Sequence, residues 1–293
     1  MGISANRYRF LCDPETYAHV NRAELLFAVL VGLVQGIVEW LPISSQGNVS
    51  IVVTLVSDID PVVAVDLALF VQLGTIVSAS VYYREDIETA LRSAPGWRPR
   101  AAYSPRNADT TFIVLASAAT GIVGIPLYLT LREAVSGLAG GLFIALIGAL
   151  LVVTGLLQRA SEAVDLELKE TPTLFDTLLV GGLQGFSILP GISRSGTTVS
   201  VMLLRGYEGP ASLRLSFLLS IPASFGAAVL VVLSGGGLPG ISPLAAAVAL
   251  VTSAVVGYVT IDALMRFVER VPFWVVCVGL GGLAVVGGLL ILS

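Results

Sequence analysis

Long runs of hydrophobic residues, separated by short charged or Gly/Pro-rich stretches, cover almost all of the chain after residue 22. A helix of about 20 apolar residues is long enough to cross the hydrocarbon core of a bilayer. Six runs reach about that length, at residues 62–83, 111–131, 138–157, 213–233, 244–264 and 273–292. The pattern predicts an all-α integral membrane protein with about six to eight transmembrane helices.

Four shorter apolar runs form two interrupted pairs. Residues 24–39 and 174–188 are each followed by a polar segment rich in Pro, Ser and Gly, and then by a second short run at 49–56 or 198–204. Backbone that is not helical cannot face lipid, because each unpaired amide or carbonyl group there costs several kcal/mol. Each pair therefore predicts a re-entrant helix hairpin whose loop lines a polar cavity within the membrane.

The two interrupted regions resemble each other in sequence. The first reads QGIVEWLPISSQG from residue 35, and the second reads QGFSILPGISRSG from residue 184. Pro42 and Pro190, like Ser45 and Ser193, are 148 positions apart, which is about half the length of the chain. Three spans follow each hairpin, so the second half enters from the opposite face and an inverted-topology repeat is predicted. The predicted divisions are a polar N-terminal segment 1–22, a first repeat 23–158 and a second repeat 159–293, which together form one membrane domain.

Composition narrows the classes of function. Hydrophobic residues make up 55% of the 293 residues and charged residues 12%, against about 25% charged residues in a soluble domain. This excludes a disordered protein and, because no cluster of basic residues could neutralise a duplex, a nucleic-acid binder. Cys12 and Cys277 are the only cysteines and His19 is the only histidine. These counts exclude a disulfide framework and disfavour a zinc site or a Ser-His-Asp triad.

Basic residues are distributed unevenly between the two predicted sides of the membrane. The side with the loops at residues 84–108, 159–172, 205–212 and 265–272, counted with Arg214, carries 11 of the 16 Lys/Arg residues, and the other side carries four. Cytoplasmic loops are the ones enriched in Lys and Arg. We therefore expect a multi-pass protein of the plasma membrane with both termini outside.

Two charged residues lie in the interrupted regions. Glu39 directly precedes the first loop and Arg194 lies within the second, and an ionisable residue within a membrane is costly enough to be a functional candidate. An inverted repeat brings both loops together near the midplane, so the two side chains are expected to share one pocket. The alternative left open is a buried ion pair that only docks the two repeats. Asp66 is a weaker candidate for the chemistry, and Asp262 a weaker one still.

The loops suit a phosphate group. Helix N-termini donate hydrogen bonds to anions, arginine binds phosphate oxygens in pairs, and glycine lets the backbone approach closely. The predicted phosphate- or substrate-binding residues are Gln35, Ser44, Gln46, Gly47, Asn48, Ser193, Ser195, Gly196 and Thr197. For Gln35 and its counterpart Gln184, hydrogen bonding across packed helices is the competing expectation.

The same residues carry a resemblance to a known family. The segment from Gln35 to Gly47 resembles the (E/Q)GxxEFLPxSSxGH motif of the undecaprenyl-diphosphatase family, and the segment from Pro190 to Thr197 resembles its PGxSRSGxT motif. Residues 70–76, FVQLGTI, and residues 216–223, SFLLSIPA, resemble two further segments of that family. The similarity runs from about residue 24 to the C-terminus.

The resemblance implies a fold, an activity and a set of catalytic residues. The family removes one phosphate from a C55 polyprenyl diphosphate, which recycles the lipid carrier of envelope glycan synthesis, and it is linked to bacitracin resistance and to divalent cations. Its fold contains inverted repeats and two re-entrant hairpins, with the active site open to the outer face. Carried over by position, the resemblance implies catalytic roles for Glu39, Ser45 and Arg194. We expect Glu39 either to bind a divalent cation, Mg²⁺ or Ca²⁺, or to act as base towards Ser45 or a water molecule.

This sequence departs from the family pattern at two positions. Asn48 replaces the motif histidine, and asparagine cannot take up a proton near neutral pH. Gln35 stands where some members have a glutamate, which removes one potential metal ligand. We expect a polyprenyl-diphosphate phosphatase, of undecaprenyl or dolichyl type, that works without a histidine. The alternative is a polyprenyl-phosphate transporter or flippase that has the same anion pocket and no hydrolysis. The expected partners are the lipid and the bilayer, with a homodimer as an option and no nucleic acid.

Overall fold

The computed structural model describes residues 22–57, 59–93, 97–162, 169, 171–268 and 270–292, and within these residues the chain is helical without β-strands. The helices are α1 (Arg22–Val38), α2 (Ser45–Val56), α3 (Pro61–Tyr82), α4 (Arg84–Ser93), α5 (Ala108–Val135), α6 (Gly140–Glu162), α7 (Leu174–Gly185), α8 (Arg194–Leu204), α9 (Gly209–Gly235), α10 (Pro243–Val268) and α11 (Phe273–Leu292). Two short 3₁₀ turns lie at Pro99–Ala101 and Phe186–Ile188. His19, Cys12 and nearly all of the predicted segment 1–22 lie outside the described residues.

Six described helices are long and apolar enough to cross a membrane: α3, α5, α6, α9, α10 and α11. They coincide with the six predicted spans, so the prediction of an all-α integral membrane protein is confirmed. Helices α5 and α9 extend several residues beyond their predicted ends, and each continues through an internal proline, Pro126 or Pro222. The structure also contains α4, a short charged helix in a region where the sequence predicts a loop.

Local capping explains where the helices near the centre of the molecule begin. Asp60 accepts a hydrogen bond from the Val62 amide and Pro61 occupies the first turn of α3, a combination that favours a helix start. Ser44 caps α2 by accepting from the Gly47 amide, and Ser193 caps α8 by accepting from the Gly196 amide. The interrupted regions therefore restart as helices at their serine residues.

Contacts between helices establish their directions. Helices α1, α3 and α10 run in parallel, because successive positions along α10 meet residues of increasing number on α1 and on α3. Helices α5, α7 and α9 also run in parallel with one another. Helices α3 and α9 are antiparallel, since Tyr83 stacks on Phe217 while Ser224 bonds to Gln72. The hairpins α1–α2 and α7–α8 thus enter from opposite faces, which we name the α1 face and the α7 face.

Helix α6 packs against α11 through glycine residues. A Cβ atom on Gly148 would lie 2.5 Å from the Gly281 carbonyl oxygen, and one on Gly281 would lie 2.6 Å from the Gly148 carbonyl oxygen. Small residues at a membrane helix interface allow this close approach of two backbones. The α6–α11 pair is thereby held as one unit beside the hairpin loops. The division of the chain into duplicated repeats at residue 158 stays a prediction.

Candidate active site

The two hairpin loops meet at a cavity of about 160 Å³ that is also bounded by α3, α5, α7 and α9. Its polar lining residues are Glu39, Ser44, Ser45, Gln46, Gln72, Ser117, Thr120, Gln184, Ser187, Ser193, Arg194, Ser195 and Ser224. Leu69, Ile125 and Leu230 line the part of the cavity nearer the α1 face. A polar cavity with an apolar extension suits a ligand that has a polar head and a hydrocarbon tail.

The loops are joined to each other by Ser44 and Gln46. Ser44 adopts a left-handed backbone conformation with φ 60°, and its Oγ accepts hydrogen bonds from the Gly47 amide at 3.2 Å and from the Gly191 amide at 3.1 Å. The Gln46 side chain donates to the Ile188 carbonyl at 2.9 Å. A Cβ atom on Gly47 would lie 2.8 Å from the Gly191 nitrogen, so glycine is needed where the loops touch. One hairpin thus holds the other across the centre of the molecule.

Glu39 is the centre of the polar network in the cavity. Its side chain is 4% exposed. One carboxylate oxygen accepts from Gln35 Nε2 and from Ser45 Oγ, both at 2.6 Å, and the other accepts from Arg194 Nη2. The bond from Ser45 to Glu39 has the geometry of a nucleophile and its general base.

Arg194 is the first residue of α8 and reaches from the second loop to both Glu39 and α9. Its Nη1 donates to Ser224 Oγ, and Ser224 in turn donates to Gln72 Oε1 at 2.8 Å. Its buried Nε has no hydrogen-bond partner among the described residues. The N-terminus of α8 adds partial positive charge beside the guanidinium group. This corner can therefore bind a further anionic oxygen.

The predicted site residues divide into two groups. Ser44, Gln46, Ser193 and Ser195 line the cavity with Glu39, Ser45 and Arg194, whereas Gln35, Gly47, Asn48, Gly196 and Thr197 lie outside its lining. Gln35 supports the Glu39 carboxylate from behind and also donates to Thr75. The Asn48 side chain donates to the Ile43 carbonyl at 2.7 Å and to the Ser44 carbonyl at 2.9 Å. Asn48 thus bonds to the turn of the first loop.

Several lining residues were not predicted. Gln72 and Ser224 pair where α3 crosses α9, and Ser117 and Thr120 come from α5. Gln184 of α7 donates to Thr120 of α5 at 3.0 Å, which is the bond between packed helices that was expected for it. Gln184 also lines the cavity. Polar residues within apolar spans were the available signal for Gln72 and Ser224.

The weaker acidic candidates lie away from the cavity. Asp66 accepts a hydrogen bond from Tyr128 at 2.7 Å and pairs with Arg132 at 3.3 Å. Asp262 pairs with Arg266 and accepts from Tyr82 on the surface. Neither of them lines the cavity.

The donor set limits how a metal ion could be held. Within the described residues no group of three or more His, Cys, Asp and Glu side chains could bind a metal, and Glu39 is the single carboxylate in the cavity lining. Gln46 and Gln184 belong to the lining, and their buried amide oxygens have no hydrogen-bond partner within the part of the chain that the structure describes. Mg²⁺ commonly binds through one or two carboxylates together with substrate phosphates. These residues fit an ion that arrives with a diphosphate.

Comparison with known proteins identifies the family. A family model described as bacitracin resistance protein BacA matches residues 28–283. The chain belongs to the BacA family. A protein named undecaprenyl-diphosphatase from Haloarcula marismortui is 55% identical over 267 residues, which cover 91% of this chain and 98% of the relative. Proteins of the same name from Methanococcoides burtonii and Methanothrix thermoacetophila are 40% and 36% identical, each over 88% of this chain and over 96% and 94% of the relative. The transporter alternative has no support from the BacA match or from these relatives.

Proposed function

We propose that this BacA-family membrane protein removes the terminal phosphate from a polyprenyl diphosphate and releases the polyprenyl monophosphate. The observation that carries the proposal is the single carboxylate of Glu39, which binds both the Ser45 hydroxyl and the Arg194 guanidinium in a cavity within the membrane. The names of its relatives support the same reaction. The polar residues of the cavity suit the diphosphate head, so an undecaprenyl and a dolichyl carrier are both accommodated by the proposal.

Ser45 and Glu39 supply the nucleophile and its base. As Ser45 Oγ bonds to the terminal phosphorus, its proton moves to Glu39 and the bond from phosphorus to the bridging oxygen breaks, which releases the lipid monophosphate. Glu39 passes that proton to the bridging oxygen of the leaving lipid monophosphate, and it then accepts a proton from a water molecule that attacks the phosphoserine. The bond from phosphorus to Ser45 Oγ breaks, Glu39 returns the proton to that oxygen, and inorganic phosphate leaves.

Arg194 stabilises the charge that the transferring phosphoryl group spreads over its oxygens. The unpartnered Nε and the Nη2 on the Glu39 side present two donors in the fixed fork that matches phosphate. Such prepositioned donors act most strongly where water is excluded. The ion pair with Glu39 therefore holds the guanidinium ready beside the nucleophile.

A divalent cation, Mg²⁺ or Ca²⁺, belongs to the proposal. Glu39 would hold it together with the amide oxygens of Gln46 and Gln184 and the oxygens of the diphosphate. When bound, the cation would supply positive charge that offsets the charge of the diphosphate. Phosphate release should therefore stop in EDTA and return with added Mg²⁺ or Ca²⁺.

The cavity is proposed to face the outer side of the plasma membrane. Its apolar extension runs toward the α1 face, and most of the described Lys and Arg residues lie on the α7 face. Loops rich in these residues remain in the cytoplasm. The substrate would accordingly enter from the outer leaflet. A homodimer stays a prediction.

The test is phosphate release from a polyprenyl diphosphate by the purified protein in detergent. Glu39→Gln keeps the shape and removes the charge, and should lower turnover by at least about 10²-fold if Glu39 is the general base. Asp66→Asn is the matched control, because Asp66 is a buried carboxylate that does not line the cavity. Equal losses in the two variants, or a wild type that is silent with every cation, would overturn the proposal.

A further inference from the structure

One face of α6 lies against both hairpin loops. Ile147, Leu151, Thr154 and Gln158 follow one another at helical spacing and are all buried, Thr154 with 2% of its surface exposed. A Cβ atom on Gly191 would clash with the Ile147 carbonyl oxygen, so the second loop lies close to the backbone of α6, and Leu151 packs with Ile43 of the first loop. Thr154 and Gln158 are polar residues in this stripe, and neither of them lines the cavity.

Thr154 bonds to the backbone of the second loop on both sides of Ile192. Its Oγ1 donates to the Gly191 carbonyl at 3.1 Å and accepts from the Ser193 amide at 3.1 Å. Ser193 caps α8, whose first residue is Arg194. A shift of these two backbone groups would move the guanidinium directly.

Gln158 bonds to the backbone of the first loop. Its Nε2 donates to the Pro42 carbonyl at 2.6 Å, and the Cys277 thiol of α11 donates to the same oxygen at 3.2 Å. Pro42 lies midway in sequence between Glu39 and Ser45. The bond therefore restrains the short segment that carries the carboxylate and the serine.

We infer that Thr154 and Gln158 are positioning residues for the phosphoryl-transfer site, and that α6 sets the distance between Arg194 and the Glu39–Ser45 pair. The two side chains stand one helical turn apart, roughly 6 Å along the axis, on an element held rigidly by α11. Both loops are therefore hydrogen-bonded to the same helix. The inference rests on the proposed function, because it assigns these residues to the same site.

The decisive variant is Thr154→Val, which keeps the shape and removes both hydrogen bonds. A misplacement of about 1 Å can cost about 10²-fold in rate, so we expect kcat to fall by about tenfold or more while KM changes much less. Thr154→Ser retains the hydroxyl and should recover most of the loss. We also expect the thermal unfolding midpoint of Thr154→Val to match that of the wild type. If Thr154 had a merely structural role, the midpoint would fall together with kcat.

The matched control is Thr260→Val. Thr260 lies on α10 and donates to the Gly36 carbonyl of α1 at 3.1 Å, away from the cavity. This variant removes the same kind of bond from a re-entrant helix without touching either loop. It should retain the kcat of the wild type. Gln158→Met extends the test to the first loop and should lower kcat as Thr154→Val does.

Hydrogen exchange gives a readout that does not depend on activity. In Thr154→Val the amides of residues 189–197 should exchange faster than in the wild type, and those of residues 24–38 should not. Unchanged exchange at residues 189–197, or faster exchange with an unchanged kcat, would overturn the inference. A silent wild type whose Thr154→Val variant exchanges faster would overturn the proposed function and support the ordering of the loop by α6.

Discussion

At the residue scale, the proposed chemistry depends on one carboxylate shared by three donors. Glu39 accepts from Gln35, Ser45 and Arg194, so the ion pair weighed in the sequence analysis as a mere docking contact does form. It forms in the wall of the cavity, and the same carboxylate holds the serine. Removing either member would leave a buried charge, which typically costs about 3–5 kcal/mol. A substitution that retains the charge therefore separates an effect on turnover from an effect on stability most clearly.

Arg194→Lys is such a substitution. A point ammonium cannot reproduce the bidentate grip of a guanidinium on phosphate, so we expect phosphate release to fall by about 10²-fold or more. The matched control is Arg205→Lys, because Arg205 pairs with the buried Asp176 outside the cavity. Assays in detergent and thermal unfolding should show loss of turnover with Arg194→Lys alone. Near-normal turnover there would make Arg194 a structural partner of Glu39.

Asn48 contributes two hydrogen bonds to the backbone of the first loop. Its two bonds to the Ile43 and Ser44 carbonyls hold the turn at Ser44. Asn48→Ala should therefore raise the activation free energy of turnover, or lower the free energy of unfolding, by about 1–3 kcal/mol. Asn107→Ala is the control, because its side chain also donates to a loop carbonyl, that of Ala101, away from the cavity.

Asn48→His should introduce a titratable group into the first loop and make turnover depend on its protonation. The wild type should show no inflection near pH 6.5, the reference pKa of histidine, while the variant should gain one. Phosphate release measured between about pH 5 and pH 9 shows whether each of the two proteins has this inflection. If wild type and variant bind the lipid and neither releases phosphate, the catalytic assignment fails.

At the element scale, hydropathy predicted the six spans and the two hairpins because both depend on the length of apolar runs. Helix α4 was missed, since it is short and stabilised by its charge pattern, including the pair of Glu88 and Arg92. The role of α6 was not predictable either. Thr154 lies 37 residues before its partner Gly191, and a threonine in an apolar span does not indicate which loop it will meet.

Some residues of the candidate site were likewise predictable from the sequence, and others were not. Glu39, Ser45 and Arg194 were recognisable because they lie in the two interrupted segments and match the family motifs. Gln72 and Ser224 were not, because their pairing depends on where α3 crosses α9. Placement of Asn48 outside the lining likewise depends on the conformation of the loop, which the motif does not specify.

The contact between α6 and α11 can be tested with two neighbouring glycines. A Cβ atom on Gly281 would lie 2.6 Å from the Gly148 carbonyl oxygen, whereas one on Gly282 would meet nothing within 4 Å. Gly281→Ala should therefore destabilise the protein by about 1–3 kcal/mol through overpacking. Gly282→Ala should be neutral or stabilising by up to about 1 kcal/mol, because alanine favours a helix. Thermal unfolding in detergent compares the pair, and equal midpoints would exclude tight packing here.

At the scale of the whole molecule, the two faces differ in charge. Among the described residues, Arg22 and Arg132 are the basic side chains of the α1 face, while the α7 face carries Arg84, Arg92, Arg98, Arg100, Arg106, Arg159, Lys169, Arg205, Arg214, Arg266 and Arg270. We expect this difference to orient the protein in the membrane, because loops rich in Lys and Arg remain in the cytoplasm. The hairpins enter from opposite faces, so under the proposed function the charge on the loops, rather than the shape of the fold, would determine which leaflet supplies the substrate.

Orientation is testable by labelling intact cells with a membrane-impermeant maleimide. In a Cys12→Ser background, Ser136→Cys places a thiol on the α1 face and Thr171→Cys places one on the α7 face, both at exposed positions, while the native Cys277 is buried. We expect the first thiol to react in intact cells and the second only after permeabilisation. Equal labelling by a permeant maleimide controls for expression. The reverse pattern would turn the apolar extension of the cavity toward the cytoplasm, and hydrolysis would then draw its lipid from the inner leaflet.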